Sequence, residues 1–196
     1  PRMIIVKSIS NNEGWAVYHE EMNAGSSYNH ALFLNLDSGN SSANNAYWGG
    51  NTMTLDNNLF SVGSHSTVGA NGYTYIAYLF AEVEGFSKID TYRGNGSPTD
   101  NTYVHTGFSP AWVMVKRTNS SGSWSIYDNK RNTTNARDKR LVANVINEEV
   151  EQSTQAMDFL SNGFKIRSNN TDQGGNGDTY IYLAFAQNPF KLSNAR

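Results

Sequence analysis

The sequence predicts an all-β protein, laid out as two tandem antiparallel β-sandwiches of a jelly-roll or lectin-like kind. Three observations predict it. Short segments alternate apolar and polar residues, the period of a half-buried strand. Turn-forming Gly and Asn clusters separate these segments at close intervals, and the chain holds 26 Asn and 17 Gly. Finally, segments of the first half recur in the same order in the second half, which is the signature of an internal repeat.

The strands follow from the matches. Residues 1–7 lie over Pro110–Lys116 at an offset of 109, which also places Trp15–Tyr18 on Trp124–Tyr127 and Leu32–Asn35 on Leu141–Asn144. Phe60–Ser64 then matches Phe164–Ser168 at an offset of 104, and Asn71–Ala81 matches Asn176–Ala186 at 105. Trp15 and Val17 point to one face, as do Trp124 and Ile126. Thr179–Ala186 is apolar on both faces, which places it centrally or beneath a second layer. Turns are expected at Asn12–Gly14, Gly94–Gly96, Ser120–Gly122, Asn162–Gly163 and Gly174–Gly177. Ala143–Met157 alone has a helical look. Its counterpart, Asn35–Asn45, is too rich in Asn, Ser and Gly to be a helix, so both are read as loops, with room for one helical turn in the second. Ile89–Arg93 and Thr102–Thr106 read as two further strands with no counterpart before Pro1. The boundaries are therefore 1–85 for the first sandwich, with its first strands missing or supplied from elsewhere, and 86–196 for the second. An unpaired sheet edge would invite pairing. The abrupt opening on a strand predicts a piece of a longer polypeptide.

Composition narrows the function classes. The net charge is −2, from 15 basic and 17 acidic residues, with a pI of about 6.1. That balance gives a polyanion nothing to bind, so no nucleic-acid partner is expected. The densest basic run, Lys130, Arg131, Arg137, Lys139 and Arg140, is broken by polar residues and reads as a solvated loop. There is no cysteine, which removes disulfides, zinc–thiolate sites and thiol catalysis. No apolar run of about 18 residues exists, so no membrane insertion is expected.

Catalytic motifs are missing as well. His19, His30, His65 and His105 lack metal-ligand spacing, and His19 is replaced by Asp128 in the second copy. Glu20–Glu21 and Glu148–Glu149 are neighbours in sequence, which would send their side chains to opposite faces of a strand. No catalytic residue and no cofactor is expected. Two binding possibilities remain. Asp172, Asn176 and Asp178 surround a Gly-rich turn and offer hard oxygen ligands to Ca²⁺, although Thr67 and Tyr73 of the first copy stand where the two carboxylates would need to recur. Asn45, Tyr47, Trp48 and Asn51 combine aromatic faces with amides, a pattern suited to a glycan; the alternative is a Trp packed beneath its own loop.

The runs Val83–Lys88, Tyr92–Gly96 and Thr106–Thr118, continued by Trp124–Asp128, Asp158–Ser168 and Tyr180–Ala186, resemble an uncharacterised repeat of tailed-phage tail, fibre and appendage proteins, frequent in marine phages. The resemblance spans residues 83–190 and, more weakly, 1–82. It implies a virion structural protein (tail fibre, appendage or capsid-surface decoration) that self-associates, contacts other virion proteins and has host-surface attachment open to it. It carries no catalytic or binding residues over. The rival expectation is a lectin-like carbohydrate-binding module of a larger protein, with a host cell-surface glycan as partner.

Overall fold

A computed structural model of the chain describes residues 1–22, 27–50, 53–56 and 58–189. Among them are thirteen strands and no α-helix, and every strand pairing is antiparallel. The first half contributes β1 (Met3–Ser8), β2 (Trp15–His19), β3 (Leu32–Phe33) and β4 (Tyr75–Phe80). The second contributes β5 (Ser87–Arg93), β6 (Tyr103–His105), β7 (Pro110–Arg117), β8 (Ser125–Asp128), β9 (Lys139–Val142), β10 (Val150–Glu151), β11 (Ala156–Leu160), β12 (Gly163–Arg167) and β13 (Thr179–Ala186). The stretch with helical character resolves into the two residues of β10 and one 3₁₀ turn, Ser153–Gln155.

The strands form three sheets, ordered β3-β2-β1-β4, β10-β9-β8-β7-β13-β5 and β11-β12-β6. They stack with the six-stranded sheet in the middle. One of its faces, with Val113, Val115, Tyr127, Tyr180 and Tyr182, packs on Val104, Phe159, Phe164 and Ile166 of the three-stranded sheet. Its other face, with Met114, Trp124, Ile181 and Leu183, packs on Met3, Ile5, Val17 and Leu32 of the four-stranded sheet. Burial on both sides explains why β13 is apolar throughout. The outer face of the four-stranded sheet is closed by the long β3–β4 connection, whose Tyr47, Trp48 and Val68 cover Ile4, Val6, Ala16 and Tyr18.

The four-stranded sheet shares order and register with the middle of the central sheet. Ile5 pairs with Val17 and Tyr78; Met114, offset by 109, pairs with Ile126 and Leu183, the matching residues. Ala16 opposite Phe33 repeats as Ser125 opposite Val142. Side-chain bonds recur too. The Trp15 N–H donates to Asn35 Oδ1 and the Trp124 N–H to Asn144 Oδ1, both at 2.8 Å. The Tyr75 hydroxyl donates to the Ser66 carbonyl at 2.7 Å and accepts from the Ala70 N–H; Tyr180 does the same with Thr171 at 2.8 Å and Gly175. Matching faces pack against each other, so that Phe80 meets its counterpart Phe185 at 6.3 Å.

Candidate functional site

The loop expected to present a glycan platform is folded inward. Trp48 is fully buried, its indole Nε1 donates to the His30 carbonyl at 2.8 Å, and it meets Tyr18 edge-on at 5.6 Å. Tyr47 is buried between Phe33 and the His65 ring. Asn45 is exposed beside them, and Asn51 lies outside the described residues. The expectation of an exposed aromatic face is therefore corrected: the outer face of β1 and β2 is apolar, and burying Trp48 against it stabilises the fold by about 3 kcal/mol. A sugar ring cannot stack on a side chain that already roofs the sheet.

The Gly-rich turn is likewise already satisfied. Asp172 Oδ2 accepts from Arg140 Nη1 at 2.8 Å and its Oδ1 from the Ser123 N–H at 2.8 Å. Asp178 Oδ1 accepts from Arg117 Nη2 at 2.6 Å and from Asn119 Nδ2 at 3.2 Å. Asn176 packs beside Gly96, where any side chain would collide with it. The calcium expectation is corrected accordingly, because both carboxylates are neutralised by arginines and bind loops together. Among the described residues, no three His, Cys, Asp or Glu side chains converge as a metal site.

The basic run is not a uniformly solvated loop either. Arg137 and Arg140 are buried, Arg137 with its guanidinium 4.6 Å from the Phe159 ring, and Arg131 pairs with Asp128 at 2.5 Å. Of the histidines, His65 accepts the Thr67 N–H on Nδ1 at 3.2 Å, capping a turn. Asn170 performs the same task for the Asp172 N–H at 2.8 Å in the second half. His19 is buried, and its Nδ1 accepts the Glu21 N–H at 3.2 Å, which puts the ring proton on Nε2. Burial pushes its pKa down to about 3; the Tyr182 backbone opposes that shift and Arg2 adds to it. A base held so far below neutrality is a poor proton acceptor at pH 7.

Sequence reasoning missed two titratable groups. Lys116 is fully buried, with Nζ donating to the carbonyls of Arg117 at 2.7 Å and Asp37 at 3.1 Å. Burial lowers its pKa to about 8, against the pull of Asp37 and Asp172. Its unbroken apolar neighbours in Val113–Val115 disguise it as a strand-end residue. Glu82 lines a cleft of about 440 Å³ with Glu84 and His105, an arrangement that invites comparison with a glycosidase carboxylate pair. Arg2 at 2.8 Å and Lys88 at 2.7 Å clamp Glu82, however, and despite some burial its pKa is lowered. A general acid needs the opposite shift.

An uncommitted surface lies at a sheet edge. Among the described residues β4 pairs with β1 alone, and Ile76, Tyr78 and Leu79 are each more than 40% exposed. Beside it runs an apolar groove of about 410 Å³, lined by Val6, Phe60, Val62, Val68, Tyr75 and Ala77. No helix of the described residues is long and apolar enough to cross a membrane. Compared with known families, residues 1–189 match the model of a domain of unknown function, DUF7483. No curated protein and no solved structure matches the chain.

Proposed function

The chain belongs to the DUF7483 family, whose description assigns no activity, and from its architecture we propose that it is a non-catalytic assembly module of a tailed-phage virion. In this reading it stands at the particle surface as part of a tail fibre, appendage or capsid decoration. It associates with copies of itself and with other virion proteins, and host-surface attachment is a further role open to it. The observation that carries the reading is how the reactive side chains are spent. Asp172, Asp178, Lys116 and Arg140 each hold one loop or strand to another, and His65 caps its own turn. What the molecule leaves uncommitted is backbone and apolar surface at a sheet edge, the material of protein–protein contact. The sequence resemblance of residues 83–118 supplies the virion setting.

Labelling purified particles with an antibody to this chain, followed by electron cryomicroscopy, tests the proposal. The expected result is a regular, multi-copy density on the particle exterior. Absence of the chain from purified particles overturns it.

A further inference from the structure

In the second half of the molecule, β13 does not end its sheet. β5 pairs along its free side, with Tyr92 opposite Tyr180 and Ile89 opposite Leu183. Tyr92 is the anchor of that pairing. Its ring stacks on Tyr180 at 4.9 Å and 13°, meets Phe164 edge-on at 6.1 Å, and its hydroxyl donates to the Gln173 carbonyl at 2.8 Å.

β4 is the counterpart of β13 in order and register, and among the described residues nothing pairs with its outer side. The surroundings of Tyr92 nevertheless have counterparts there. Tyr75 stands for Tyr180, Phe60 for Phe164, Val68 for Gln173 and Ala77 for Tyr182, and these four line the open groove. The groove thus lies where the second half keeps the Tyr92 ring. The two sheet edges on this side also differ in charge. β5 carries Lys88, Asp90 and Arg93, the charged residues that discourage further pairing, whereas Tyr75–Phe80 carries none.

We propose that the edge of β4 accepts an extended strand of the β5 type from another protein unit. The strand runs antiparallel to β4, with an aromatic residue opposite Tyr75 entering the groove and an aliphatic residue opposite Tyr78. Backbone hydrogen bonds supply affinity, and the groove selects the aromatic. This gives the assembly reading its contact and rests on it only for the source of the strand.

The test uses the full chain and a synthetic peptide with the sequence of residues 86–94, read by amide hydrogen exchange. Slowed exchange at β4, with β5 and β13 unchanged, is the expected result. A peptide carrying Tyr92→Ala binds about tenfold more weakly, as loss of a buried aromatic requires. The protein variant Ile76→Lys/Leu79→Lys, altered at exposed positions, keeps its fold and loses the effect. Four results overturn the proposal: no slowing at β4 with millimolar peptide, equal slowing by the Tyr92→Ala peptide, change confined to β13 through displacement of the chain's own β5, or β4 already protected in the chain without peptide, whether as monomer or dimer. None of these bears on whether the chain is found on particles, so the two readings fail separately.

Discussion

His19 shows how one position separates the two halves of the molecule. Its counterpart Asp128 is a half-buried carboxylate holding Arg131, whereas His19 is sealed between sheets with Arg2 nearby. The consequence is a dependence on acid. The imidazole has a folded pKa of about 3 against 6.5 in the unfolded chain, so between those values the unfolded state binds the extra proton. Stability from this group is fully present above about pH 6.5 and is lost as pH falls toward 3, with a slope of at most about 1.4 kcal/mol per pH unit. Denaturant unfolding measured between pH 7 and 5 should show this loss in the native chain and a flatter profile in His19→Gln. That window lies above the range where Glu82, Asp100 and Asp128, all with lowered pKa values, contribute. Equal slopes in the two proteins would remove His19 as the cause. Its role was not legible in sequence: a lone His after Trp15–Tyr18 gives no sign that a second sheet will cover it.

At the scale of elements, much was legible because strand pattern and repeat offset constrain each other. The matches 15–18 on 124–127 and 32–35 on 141–144 mark β2, β8, β3 and β9, and they place Asn35 and Asn144 in equivalent corners. Each amide oxygen accepts the N–H of a strand-opening Trp. Asn35→Ala and Asn144→Ala should each cost about 1 kcal/mol in denaturant-measured stability, with Asn144 the costlier because Trp124 is buried while Trp15 is only partly so. An unchanged midpoint for either variant would show that water replaces the amide at no cost. The candidate sites were less legible, and for one physical reason. Trp48, Asp172 and Asp178 have the chemistry of ligand contacts, but what decides their role is whether a sheet face or an arginine lies within reach, and those partners are separated from them by as many as 61 residues. The pairing of His65 with Asn170 was hidden because imidazole and amide look unlike in sequence yet accept the same turn N–H.

For the molecule as a whole, sequence pattern gave the all-β class and the doubly apolar β13, but not the stacking. Periodicity marks a strand as covered; it does not say that the cover is the matching face of the other half. The shared layer of Met3, Ile5, Val17, Met114, Trp124 and Leu183 follows from both faces of the central sheet being apolar. One feature of this layout governs the response to tension. β1 and β13, the first and last strands of the described residues, are both flanked on two sides: β1 by β2 and β4, β13 by β7 and β5. Freeing either strand therefore breaks two backbone ladders, where a border strand would give up only one. Single-molecule stretching should show the chain resisting until a single abrupt rupture, and gradual low-force extension would contradict that. A unit built this way holds its length under load until both ladders of an end strand give way together.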